Sequence, residues 1–114
     1  MTLDFAHLAA LSYLYLTTTG RVSGLPREIE IWFVAAEGRF YVLAGGFHAA
    51  QWVKNIQRQP RVCVRVGDQA LDATARVLDR EADGPAWERA QRLARAKYGW
   101  GDGLPVEIAP DATA

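Results

Sequence analysis

The chain has 114 residues, half of them hydrophobic, which suffices for one compact domain and leaves no room for a second. Lys plus Arg and Asp plus Glu both number 13, so nothing draws the whole molecule to nucleic acid or an anionic membrane, and any anion site must be local. A single cysteine, Cys63, excludes an intramolecular disulfide and a paired-thiol metal site; with no signal-peptide pattern and no apolar run of about 18 residues, a cytoplasmic protein without a transmembrane segment is expected.

In chain order, residues 2–10 predict a short helix begun by Thr2 or Asp4, with Phe5, Leu8 and Ala9 on one face and His7 off it. From 11 to 19 the residues turn β-branched and aromatic, the mark of a first strand. A second strand is expected at 27–35, with Ile29, Ile31 and Phe33 on one side and Trp32 and Val34 sharing the other with Glu28 and Glu30. Glu37-Gly38-Arg39 predicts a hairpin turn into a third strand at 40–44. Gly45-Gly46 ends that strand, and the spacing of Ala49, Trp52, Val53 and Ile56 predicts an amphipathic helix at 49–59, stopped by Pro60.

Strict alternation over 61–66 gives a fourth strand, with Cys63 off the valine face, and Gly67-Asp68 turns it into a fifth at 69–79. A further helix at 84–98 has Asp83 as its expected N-cap, Pro85 in its first turn, and an apolar stripe running from Ala86 and Trp87 to Tyr98. A glycine-rich loop at 99–103 leads to a sixth strand at 104–108, placed at a sheet edge because of Pro105, and the tail from Pro110 is expected to fray. Six strands, mostly joined by hairpins, with two or three helices make a mainly β (α+β) fold, a small closed or partly closed antiparallel barrel. Neither GxGxxG nor a βαβ repeat points to a dinucleotide fold.

The turn between the first two strands carries the most chemistry. A hairpin needs glycine and proline where φ is special, which accounts for Gly20, Gly24 and Pro26. It has no such need of Arg21, Ser23 and Arg27 at one tip, with no carboxylate until Glu28. Guanidinium forks, a hydroxyl and backbone N–H groups together suit an anionic oxygen cluster such as a phosphate. An isolated turn of this kind would be read as a solvated basic tip. His7 and His48 are too few and too separate for a metal site, and Cys63 has no partner triad, so no catalytic residue is assigned.

Three blocks then stand out: Leu16-Thr17-Thr18-Thr19-Gly20-Arg21-x-Ser23-Gly24-x-Pro26-Arg27 followed by Trp32-Phe33; Trp52-x-x-Asn55-Ile56-x-x-x-Pro60-Arg61-Val62; and the closing Leu104-Pro105-Val106-x-Ile108-x-Pro110. Together they resemble the split β-barrel flavin and deazaflavin oxidoreductases. The likeness is to the deazaflavin-dependent nitroreductase branch, which is related to pyridoxamine 5'-phosphate oxidase-like FMN-binding proteins. The resemblance implies a six-stranded antiparallel split β-barrel, a homodimer, and coenzyme F-420 (8-hydroxy-5-deazaflavin) in a groove near the subunit interface. It implies hydride transfer between that cofactor and a small organic acceptor.

By the same resemblance, Arg21, Ser23, Gly24 and Arg27 meet the cofactor's phosphate and acidic tail; apart from the resemblance, Arg39 or Lys54, one strand end away, are further candidate cations. Ala44, Gly45 and Gly46 approach the ring, and the helix contributes Trp52 and Asn55. Taken alone, Gly45-Gly46 reads equally as a loop turn, Trp52 as core, and Asn55 as a surface residue or a partner of the neighbouring loop. The same barrel holding FMN, and a non-catalytic module presenting a flavin-like ligand, remain open alternatives. The chain departs from the family pattern at 97–103, where relatives carry a longer, tyrosine-rich cover over the substrate side of the ring. A tryptophan and a valine on the second strand's other face, Trp32 and Val34, are a further reason to expect a second copy.

Overall fold

The structure is a computed structural model that describes residues 5–111. Seven strands, β1 (Tyr13–Thr19), β2 (Pro26–Trp32), β3 (Val34–Ala36), β4 (Arg39–Ala44), β5 (Arg61–Val66), β6 (Gln69–Val77) and β7 (Leu104–Pro110), form one antiparallel sheet. Three helices accompany it: α1 (Phe5–Ala9), α2 (Gln51–Arg58), preceded by a 3-10 turn at Phe47–Ala49, and α3 (Gly84–Tyr98). The strand order is β2-β1-β5-β6-β7-β4-β3. The two outermost strands, β2 and β3, are consecutive in the chain, so the sheet curls until its edges face each other across a split.

That split corrects the expected count of six strands to seven. The single strand expected at 27–35 breaks at Phe33. In a continuous strand neighbouring side chains point to opposite faces, yet Phe33 and Val34 are 1% and 4% exposed. Burying both makes the chain swing from one sheet edge to the other. β3 then returns to β4 through Glu37 and Gly38, at φ 54° and 76°, a two-residue turn of the I′ kind between the paired residues Ala36 and Arg39.

A second correction concerns β7. It is not an edge strand but lies between β6 and β4, with Ile108 opposite both Ala75 and Phe40. Pro105 is tolerated because its carbonyl accepts from the Leu78 N–H at 3.1 Å. The missing N–H would point the same way, and the β6 ladder already ends at Val77↔Val106. Nor does the tail fray at its start. Pro110 pairs with Ala73, the Asp111 N–H donates to the Asp72 carbonyl at 2.9 Å, and Arg61 donates to the Asp111 carboxylate at 2.7 and 2.8 Å. The rest of that tail, and the helix start at Thr2 or Asp4, lie outside the described residues.

Asp83 does not cap α3 with its side chain. Its Oδ2 accepts from the Asp79 N–H at 2.8 Å and from Arg76 at 2.9 Å, while its backbone carbonyl takes the first helical bond, from Trp87. This tie to β6 holds the 78–83 connection in place of the N-terminal N–H groups of the helix.

The barrel interior is packed by inward residues of every long strand, among them Leu14, Leu16, Val42, Val64, Val66, Val106 and Ile108, each at most 1% exposed. Each such burial stabilises by about 1.5–3 kcal/mol. α2 adds Val53 and Ile56 to the same core against β1 and β6. α3 packs on β3, β4 and β7 through Trp87, Ala90 and Ala94. The outward residues of β2, β1 and β5 stay exposed or half-buried, with Glu28, Glu30, Cys63 and Arg65 in water.

Candidate functional site

The β1–β2 turn is closed by its own backbone. The Gly20 N–H donates to the Leu25 carbonyl and the Gly24 N–H to the Gly20 carbonyl, both at 2.8 Å. A Cβ on Gly20 would come within 2.7 Å of Ser23 Oγ and 3.2 Å of the Leu25 carbonyl, so glycine there leaves the serine hydroxyl its place in the turn. Gly24, at φ 73°, takes the left-handed conformation that turns the chain into β2.

α2 pins this turn from the side. Asn55 is 5% exposed. Its Oδ1 accepts from the Arg21 N–H at 3.2 Å and from Arg21 Nη1 at 2.9 Å, and its Nδ2 donates to Thr18 Oγ1 at 3.2 Å. Gln51, one helical turn earlier, accepts from Arg21 Nη2 at 2.6 Å through Oε1 and from Nη1 at 3.4 Å through its carbonyl. Ser23 Oγ accepts from the Leu25 N–H at 3.1 Å and from Arg27 Nη2 at 3.5 Å. Every one of these acceptors is neutral. Among the described residues no carboxylate pairs with Arg21 or Arg27, so neither positive charge is neutralised by an ion pair.

They face a groove of about 480 Å³, lined by Arg21, Ser23, Arg27, Trp52 and Asn55 together with Ile29 and Gln51. A second recess, of about 270 Å³, opens at the barrel split between β2, the end of α3 and the 99–103 loop. Ile31, Trp32, Leu43, Tyr98 and Trp100 line it, and the Trp32 and Tyr98 rings stack at 4.5 Å and 4°. Ile29 and Ile31 share one face of β2 about 7 Å apart, so the cationic groove and the aromatic slot are neighbours along a single strand.

Trp100 is held by glycines on both sides. A Cβ on Gly45 would stand 3.8 Å from its indole, an ordinary contact, whereas one on Gly103 would meet it at 2.8 Å and Leu43 Cβ at 2.9 Å. A Cβ on Gly101 would collide with the Gln91 carbonyl of α3. The loop therefore lies flat on its neighbours. Burial at this end raises the Tyr98 hydroxyl above its ordinary pKa and lowers the Lys97 ammonium below its own.

Of the residues singled out in the sequence, Arg21, Ser23, Arg27, Trp52 and Asn55 come together in the groove, with Gly24 in the same turn. Ala44 is buried at 2% exposure. Gly45 stands beside Trp100, nearer the aromatic slot than the cations, and Gly46 follows it into the 3-10 turn. Arg39 is engaged elsewhere, with Glu107 at 3.4 Å on β7. Gln51 joins them without being singled out by composition; its spacing of four from Asn55 on one helix face is its sequence signal.

The sequence profile of the F-420H(2)-dependent quinone reductase family matches residues 6–107. Among solved structures, an F-420-H2 dependent reductase (FDR-A) is similar at 28% identity over 88% of this chain and 94% of that one, with a TM-score of 0.66. A domain-swapped dimer is similar at 29% identity over 96% and 87%, TM-score 0.62. The heme storage protein HutZ from Vibrio cholerae shares the fold at 19% identity over 99% and 93%, TM-score 0.76. With its fold, its cation-lined groove and a profile match over nearly its whole length, the chain belongs to the F-420H(2)-dependent quinone reductase family and is an F-420-dependent oxidoreductase.

Proposed function

We propose that the protein binds coenzyme F-420 with its phosphate and acidic tail on the Arg21–Arg27 turn and passes a hydride between that cofactor and a small planar acceptor seated in the aromatic slot. The observation that carries this is the pair of guanidinium groups held only by neutral acceptors at the mouth of one groove. A cation already paired with a carboxylate would have to break that pair to receive a phosphate; these do not. When bound, the cofactor supplies the two-electron chemistry.

The chain's own residues bind, orient and exclude water. Arg21 is aimed by Asn55 and Gln51, so its remaining donors are presented in one direction. Arg27 and Ser23 form the other wall, and Ile29 and Trp52 give the groove an apolar floor and side. Trp32, Tyr98 and Trp100 offer flat faces to a conjugated acceptor and little room for water between them. No side chain is required as nucleophile. A homodimer is part of this proposal: a solved relative is a domain-swapped dimer, and Trp32 and Tyr13 remain 52% and 45% exposed on strands β2 and β1.

Spectral titration of the purified protein with coenzyme F-420 and with FMN, followed by oxidation of the reduced deazaflavin in the presence of quinones and nitroaromatics, tests the proposal. Saturable F-420 binding and acceptor-dependent oxidation are expected. Binding of FMN in preference to F-420 would overturn the cofactor assignment, and binding without turnover for any acceptor would leave a presenting module.

A further inference from the structure

Phe33 is the residue at which the chain leaves β2 and has not yet entered β3, so its backbone has no strand partner. Buried backbone groups must nonetheless be satisfied, and α3 supplies the partners. The Phe33 N–H donates to Tyr98 Oη at 3.1 Å. The Phe33 carbonyl lies 3.0 Å from Lys97 Nζ and 2.8 Å from Tyr98 Oη. Tyr98 Oη is also 2.6 Å from the Ser12 carbonyl.

A tyrosine hydroxyl has one hydrogen and cannot donate to both carbonyls at once. Lys97 resolves this. Its ammonium has three hydrogens and three carbonyl acceptors in reach: Phe33, Ala9 at 3.2 Å and Leu11 at 2.5 Å. With the Phe33 carbonyl satisfied by Lys97, the tyrosine hydrogen is free for Ser12 and its oxygen for the Phe33 N–H. The ammonium also sits 4.2 Å from the Phe33 ring centroid, a cation–π contact that fixes the same residue from its side chain. Among the described residues no carboxylate pairs with Lys97, so its hydrogen bonds go to backbone carbonyls and its remaining contacts to the Phe33 and Tyr98 rings.

We infer that Lys97 is a positioning residue for the acceptor: by holding the Phe33 carbonyl it orients Tyr98, and through the Trp32–Tyr98 stack it sets the width of the aromatic slot. The inference rests on the slot being where the acceptor binds. It concerns one end of the groove only, because Lys97 makes no contact with the cationic turn.

The test is Lys97→Met, which keeps the length of the stem and removes the donors, with Lys97→Arg as the conservative variant. Amide hydrogen exchange read at Phe33 needs neither cofactor nor turnover. The expected result for Lys97→Met is exchange at the Phe33 amide faster by about tenfold or more, an acceptor KM raised several-fold, and an F-420 Kd within about twofold of the parent. Lys97→Arg should recover most of the Phe33 protection and of the KM. Unchanged exchange at Phe33 would overturn the inference, since the ammonium would then not hold the seam. Faster exchange with an unchanged acceptor KM would overturn it too, because the seam would not govern the slot. Failure of the functional proposal is a separate result: the parent protein itself would not oxidise reduced F-420 with any acceptor.

Discussion

The cationic groove and the aromatic slot, the two ends of the site, are built on opposite plans. The cationic end is local: its lining falls within the ten positions from Gly20 to Ile29, joined by Gln51, Trp52 and Asn55 of α2. The aromatic end is assembled from Trp32 on β2, Tyr98 at the end of α3 and Trp100 in the following loop, more than sixty positions apart in the chain. At the first end, neutral acceptors orient two charges and leave them unneutralised. At the second, a charge and a hydroxyl are consumed in satisfying backbone, and the faces left over are apolar. Ligand contact and fold are therefore separable at Arg27 on the first end and inseparable at the second. Substitution of Arg27 should change affinity with little change in stability, whereas a substitution beneath the slot should change both.

Gly101→Ala gives the largest expected effect and tests the inseparable end. The added carbon collides with the Gln91 carbonyl and meets Arg95 Cγ at 2.7 Å, both on α3; the arginine side chain can move aside, but the carbonyl is helix backbone and cannot yield cheaply. A loss of about 3 kcal/mol is expected from overpacking of this kind, read as a lower urea midpoint, with the slot's affinity for acceptor falling alongside. An unchanged midpoint would show that the loop stands off α3.

The next effect sharpens the contrast within the turn itself. On the proposed binding mode, Arg21→Ala and Arg27→Ala would each remove a charge-assisted contact of about 1.5–3 kcal/mol to the cofactor, so F-420 binding should weaken about tenfold or more in both. Only Arg21→Ala should also lower the unfolding midpoint, because Asn55 Oδ1 and Gln51 Oε1 lose their donor and Asn55 is buried. Equal midpoints for the two variants would mean that the α2 clamp is not part of the fold's stability. If both variants bound F-420 as tightly as the parent, the cationic end would not be the cofactor's anchor.

The smallest effect is graded. Exposed charge contacts are screened by salt, with a Debye length of about 10 Å at 0.1 M falling to about 3 Å at 1 M. A longer acidic tail engages more of the turn than one phosphate does. The preference for F-420 over FMN should therefore narrow as ionic strength rises, while the acceptor KM at the aromatic end stays nearly constant. An FMN preference that survives high salt would reverse the assignment.

The turn was legible in the sequence because its composition exceeds what a hairpin needs: glycine and proline explain the bend, and two arginines with a serine do not. Strand β5 and helix α3 fall at their expected positions because alternation and the 3.6-residue stripe are local signals. The break at Phe33 was hidden because its neighbours Trp32 and Val34 are equally apolar, and only tertiary burial shows that Phe33 and Val34 both point inward. Pro105 suggested an edge on a general rule, but the rule concerns which hydrogen bond is lost, and here the β6 ladder ends before that bond is needed. Asn55 sits off the apolar stripe of α2, where a surface amide and a buried clamp look alike until the turn packed against it is in place. Lys97, in a helix rich in arginine and lysine, gave no sign of its three carbonyl partners.

The central position of β7 bears on how the molecule is made. β4 and β6 both pair with it, through Phe40↔Ile108 and Ala75↔Ile108, so the sheet has a gap at its middle until the last described strand is in place. Before that moment two apolar strand edges lie open, which is the condition under which chains pair with one another instead of with themselves. Pairings that span about seventy residues also make closure a slow, non-local step. A ribosome-bound chain held short of β7 should accordingly be a client for chaperones and prone to aggregate on release, whereas the full chain should refold from denaturant in a single cooperative phase.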